Sequence, residues 1–144
     1  MNKKVLVPID GSEGGWKAMA AAKELAEKFG GELVVLHVVM PYAGASVLAV
    51  PLDHSMIAAG NKELEAIGTQ VLEMAKERLG GFDKVTYVKE MGRPSKVIVS
   101  VTKELGADCV VIGNRGLSGL AEFFLGSVSS EVAQLSPVPV YIVK

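Results

Sequence analysis

Five short apolar runs alternate with helix-patterned stretches along almost the whole 144-residue chain. That alternation restricts the fold more than any other feature. KVLVPID (Lys4 to Asp10), ELVVLHVV (Glu32 to Val39), Lys84 to Glu90, Ala107 to Ile112 and Val138 to Val143 read as strands. The second is apolar on both faces, as a central parallel strand must be when helices cover it from each side. Between the first two runs, Ser12 is placed to cap a helix. Ala18, Ala22, Leu25, Ala26 and Phe29 then share one helical face, and Gly30-Gly31 stops the element.

From Met56 to Leu79, Ile57, Leu64, Gly68, Val71, Leu72, Ala75 and Leu79 follow the helical template before Gly80-Gly81 closes it. Pro41 to Ser55 has no clear period and reads as a long loop with room for a short turn of helix. Arg93 to Leu105 holds a local conflict. Its valines favour a strand, whereas Pro94 suits a first helical turn and Val97, Ile98, Val101 and Leu105 share a helical face. Parallel neighbours need a crossover of about a dozen residues or more, which decides for helix. Ser127 to Leu135 is the fourth helix. The pattern predicts one α/β domain over residues 1–144, a doubly wound, five-stranded parallel sheet with helices on both faces.

Composition removes several function classes. The formal net charge of -1 does not suit broad capture of nucleic acid or of an acidic membrane. Cys109 is the one cysteine, so an internal disulfide is impossible, which suits a reducing compartment. It sits inside an apolar run and reads as a buried small hydrophobe. The N-terminal apolar run is short for a signal peptide, and no run reaches the length of a membrane span. A cytoplasmic location is the expectation.

Pro139 cannot donate to a central ladder, so the last strand should lie at an edge. Val138, Val140 and Ile142 fall on one of its faces, with Tyr141 and Val143 on the other. A bare apolar edge invites pairing with a second copy. The expectation is a twofold homodimer through residues 138–143, with these strands antiparallel.

The stretch GNRGLSGLAEFFLGSVSS follows the fourth run and ends where a helix begins. Ligands of open α/β sheets bind beyond the carboxyl ends of the strands, where the strand order reverses. An order 3-2-1-4-5 would open Asp10-Gly11-Ser12 and this stretch onto one crevice. Gly113 and Gly116 would let backbone approach a ligand and adopt positive φ. Gly126 and Ser127 start a helix whose free N–H groups favour an anion, with the Ser127 and Ser129 hydroxyls as further donors and Arg115 as a source of charge. The stretch is not a P-loop, since no Gly-Lys-Ser/Thr occurs in the chain. From these residues alone, an anion site and a flexible connecting turn stand about level.

Gly113-x2-Gly116-x9-Gly126-Ser127 resembles the nucleotide-binding signature of the universal stress protein family, in its ATP-binding branch. VPIDGS at Val7 to Ser12, LHVV at Leu36 to Val39 and the terminal PVPVYIVK agree with it, in the same order. The resemblance implies a Rossmann-like fold with strand order 3-2-1-4-5, a dimer, and ATP with Mg²⁺ or Mn²⁺. It also implies that Pro8, Ile9, Asp10 and Val38 surround the adenine. Ile112, Gly113, Arg115 and Gly116 line the ribose and nearer phosphates, and Gly126, Ser127, Val128 and Ser129 wrap the phosphate chain. Asn114 falls where the family varies and receives no role.

Asp10 has a competing role in shaping its own turn. His37, within an apolar strand, reads as a satisfied core histidine, and His54 as a surface residue. Trp16 reads as helix packing. Three functions remain open. The first is an ATP-binding regulatory module with little or no hydrolysis. The second is a slow ATP hydrolase or phosphotransferase, for which only Asp10, Arg115 and His37 are nearby candidates. The third is a dimeric scaffold holding AMP, cyclic AMP or no nucleotide. The sequence shows no Walker lysine and no evident catalytic base.

Overall fold

The computed structural model describes residues 3–41, 53–114 and 126–144. Elements alternate as the apolar runs require: β1 (Lys4–Pro8), α1 (Glu13–Phe29), β2 (Glu32–Val39), α2 (His54–Leu79), β3 (Val85–Met91), α3 (Pro94–Glu104), β4 (Cys109–Gly113), α4 (Ser127–Leu135) and β5 (Val140–Val143). All strands run parallel in one sheet of order β3-β2-β1-β4-β5. The chain moves outward through α1 and α2, crosses back through α3, and continues to the opposite edge through α4.

Period-two alternation divides each central strand between two cores. Val5, Val7, Leu33, Val35 and Val111 face α1 and α2, where Ala18, Ala22, Ala26, Val71 and Ala75 meet them. Leu6, Val34, Leu36, Val110 and Ile112 face α3 and α4, packing on Ile98, Val101 and Val132. Burying one such leucine or isoleucine contributes roughly 1.5–3 kcal/mol. Both sheet faces therefore need helices, and the valine-rich segment at 94–104 resolves as a helix because its Ile98 and Val101 complete the second core. Cys109 is buried and free, and burial pushes its thiol pKa up. No helix among the described residues is long and apolar enough to cross a membrane.

The boundaries differ from expectation for local reasons. Helix α2 starts at His54, two residues before the expected Met56. Asp53 caps it by accepting a hydrogen bond from the Met56 amide at 2.9 Å, and Ser55 donates to the same carboxylate at 2.7 Å. The loop expected to run to Ser55 thus ends earlier, and its residues 42–52 lie outside the described residues. Strand β5 starts at Val140, because Val138 is held in a turn by the Ser136 hydroxyl. Its position at the sheet edge is as expected.

Candidate functional site

A gap opens in the sheet where the strand order reverses. β1 pairs with β4 only at Val5–Cys109 and Leu6–Val110, whereas its pairing with β2 continues to Pro8–Leu36. Strand β4 stays with β5 up to Gly113–Val143. The carboxyl ends of β1 and β4 therefore part. Pro8 has no N–H to donate across this gap.

Between these ends lies a cavity of about 230 Å³, somewhat below the roughly 300–1,000 Å³ of drug-sized ligand pockets. Among the described residues, Pro8, Ile9, Val38, Pro94, Ile98 and Ile112 supply apolar walls. Asp10, Ser12, Asn114 and the first turn of α4 supply polar ones. Ten of the twelve residues expected at the site are described, and all ten line this cavity. The other two, Arg115 and Gly116, lie outside the described residues. Ser12 lines it too, as the expected opening of Asp10-Gly11-Ser12 onto the crevice requires, whereas sequence reasoning gave no site role to Gly15, Pro94, Ile98 or Asn114. No local signal marks Pro94 and Ile98, because only the crossover of α3 brings them to the gap.

Asp10 shapes its own turn. Its Oδ1 accepts from the Ser12 amide at 2.9 Å and from the Ser12 hydroxyl. Ser12 in turn caps α1 by accepting from the Gly15 amide at 3.2 Å. Asp10 also lines the cavity, so the turn role leaves it within reach of whatever enters there. His37 donates through Nδ1 to the Ile9 carbonyl at 2.8 Å, and the Ile9 amide bonds Leu36 at 2.8 Å. The histidine is thus the satisfied core residue expected of it, and it holds the backbone that leads into Asp10. Trp16 packs under the Arg78 guanidinium, 4.5 Å from its ring centre.

Gly113 differs from expectation. Its φ is not positive, and a Cβ there would lie 2.7 Å from the Gly14 carbonyl oxygen. It is small so that the end of β4 can pass against the first turn of α1.

Helix α4 begins at Gly126, which provides no side-chain cap. Ser130 donates the bond back to Gly126 at 2.9 Å, so the amides of Ser127, Val128 and Ser129 precede the helical ladder. The Ser129 hydroxyl, expected as a donor to an anion, is instead buried and bonds the carbonyls of Gly126 at 3.0 Å and Asn114 at 3.3 Å. The Gly126 amide is likewise taken by the Asn114 carbonyl, at 2.9 Å. What faces the cavity is a helix start with no side-chain cap among the described residues and a positive dipole end, which suits an anion. Asp10, the one ionisable side chain among the described lining residues, suits a donor or a cation.

Asn114 is the residue that neither motif nor spacing marked. It is only 8% exposed, and its Oδ1 has no hydrogen-bond partner among the described residues. The one available signal was a carboxamide directly after an apolar strand.

Comparison with known proteins agrees with this architecture. The model of the universal stress protein family matches residues 1–144. The chain is 40% identical to universal stress protein YxiE of Bacillus subtilis, over the full length of both. It shares 30% identity with the solved structure of MJ0577 from Methanocaldococcus jannaschii, covering 100% of this chain and 96% of that one, at a TM-score of 0.80. A universal stress protein solved in complex with cAMP is also 30% identical, covering 99% and 97% of the two chains at a TM-score of 0.67. A reversed strand order that opens a cavity between β1 and β4, on a chain matched from end to end, places this protein in the universal stress protein family.

Proposed function

We propose that this chain binds ATP in the cavity between β1 and β4 and acts as a dimeric, nucleotide-dependent regulatory module with little or no hydrolysis. The observation that carries the reading is the start of α4, without a side-chain cap among the described residues, whose residues Ser127, Val128 and Ser129 line a largely apolar cavity. An adenine fits against Pro8, Ile9, Val38 and Ile112, and phosphates fit the amides. Arg115, Gly113, Gly116 and Gly126 complete the set that the family motif assigns. A divalent ion, Mg²⁺ or Mn²⁺, would be held chiefly by the phosphates. Asp10 is the one carboxylate lining the cavity among the described residues, and no group of three or more metal-binding side chains occurs there. Among the described lining residues Asp10 is the one ionisable side chain, which favours binding over turnover. The reading includes a cytoplasmic location and a homodimer through residues 138–143.

The cAMP complex of a relative that is 30% identical favours a second reading, in which the occupant is AMP or cyclic AMP. Isothermal titration with ATP and Mg²⁺ tests the first. Absence of heat at high protein concentration would reject it. Mass spectrometry of small molecules released from the purified protein separates the two by identifying the occupant.

A further inference from the structure

We propose that the Asn114 carboxamide takes a hydrogen bond from a ribose hydroxyl of the bound nucleotide, making the cavity selective for ribonucleotides over their deoxy counterparts. This rests on the nucleotide reading above and adds a residue that the family motif leaves variable.

The main chain of Asn114 is fully engaged. Its amide donates to the Val143 carbonyl at 2.8 Å, and its own carbonyl accepts from the Gly126 amide and the Ser129 hydroxyl. Strand β5 and helix α4 thus hold the residue from both sides. The residue is more than nine-tenths buried, and its side-chain amide oxygen is shielded from solvent with no partner among the described residues. A buried acceptor without a donor is costly, and native structures rarely keep one without a use. Asn114 lines the cavity, so a ligand can supply the missing donor.

Position indicates which part of the ligand that is. Asn114 follows Ile112 and Gly113 at the end of β4, and its carbonyl fixes the start of α4. A nucleotide with its base among Pro8, Ile9 and Val38 and its phosphates on the α4 amides sets its sugar between them, at Asn114. The chemistry agrees. Phosphate oxygens at neutral pH carry no hydrogen to donate, and the adenine amine lies at the base end. The sugar hydroxyls are the donors left. The amide oxygen is shielded from solvent, so contact requires the carboxamide to turn about its side-chain torsions. The backbone bonds need not move. A carboxamide can present its oxygen or its nitrogen, and a hydroxyl can serve either.

Titration calorimetry tests this with ATP, 2′-deoxy-ATP and 3′-deoxy-ATP against the wild type and Asn114→Ala. The alanine variant keeps the main-chain contacts to β5 and α4. One deoxy analogue is expected to bind the wild type about tenfold more weakly than ATP. Asn114→Ala should lose a similar factor for ATP and almost none for that analogue. Equal wild-type affinity for all three ligands overturns the proposal, as does a loss in Asn114→Ala that is uniform across them. If Asn114→Ala does not fold, Asn114→Ser takes its place in the same comparison, and equal wild-type affinity for all three ligands still overturns the proposal. Failure of the wild type to bind ATP at all would remove the nucleotide reading itself and this proposal with it, a result distinct from binding without sugar discrimination.

Discussion

Gly113 sits where β4 passes beneath the first turn of α1, and the contact there is backbone against backbone. A Cβ 2.7 Å from the Gly14 carbonyl oxygen cannot be relieved by rotating a side chain. Gly113→Ala is therefore expected to cost roughly 1–3 kcal/mol, the scale of overpacking. Gly81, where an added Cβ would meet nothing within 4 Å and φ is not positive, is the control. Gly81→Ala should stay within about 0.5 kcal/mol of wild type. Urea unfolding of both variants measures the contrast. The glycine spacing was visible in the sequence, but its reason at position 113 was not. A motif records that a side chain is excluded without saying whether ligand or protein excludes it. Asn114 shows the reverse, since its oxygen, unpartnered among the described residues, is buried only once the fold has surrounded it.

Helices α3 and α4 both contribute residues to the cavity, and Glu131 joins them. Arg93 donates to one of its carboxylate oxygens at 2.7 Å and the Ser95 hydroxyl to the other at 2.6 Å. The Ser95 hydroxyl first, and then Arg93, lower the Glu131 pKa. A carboxylate with a depressed folded-state pKa adds stability above its unfolded value and loses it as pH falls through the folded one. Wild type should therefore exceed Glu131→Gln in stability at neutral pH, with the gap closing on acidification below the ordinary glutamate range. Unfolding midpoints measured across that range decide it, and a gap independent of pH would contradict the assignment. The two sheet edges also differ. β3 carries Lys89 and Glu90, both exposed, whereas β5 reads Val-Tyr-Ile-Val without a charge. Charge discourages strand addition, and its absence permits it. Tyr141 is 51% exposed, so Tyr141→Asp should leave the fold intact. It should weaken the proposed dimer by about thirtyfold or more if the ring is a central contact. Sedimentation equilibrium reads this directly.

At the scale of the whole molecule, ligand binding and folding are linked. A nucleotide that binds only the folded state stabilises it by about 2.7 kcal/mol at a hundred times its dissociation constant. The thermal midpoint should rise with ATP concentration in the presence of Mg²⁺, and the rise should be smaller at equal concentration in Asn114→Ala. A midpoint indifferent to ATP, AMP and cyclic AMP would leave the cavity without an adenine ligand. The parting of β1 and β4 creates that cavity, and it follows from the reversal of strand order rather than from any single residue.

The sequence by itself determined the alternation of strand and helix, the covering of both sheet faces and the edge position of the proline-bearing strand. Those are consequences of periodicity and of local backbone chemistry, and a family motif supplied ten of the cavity's lining residues. Tertiary structure alone decided that Pro94 and Ile98 reach the site and that Gly113 meets Gly14. It also decided that the Ser129 hydroxyl is bonded to protein and that Asn114 keeps a buried oxygen unpaired among the described residues. Each of these depends on segments far apart in the chain coming together, and a pattern read along one dimension carries no record of which groups will face one another.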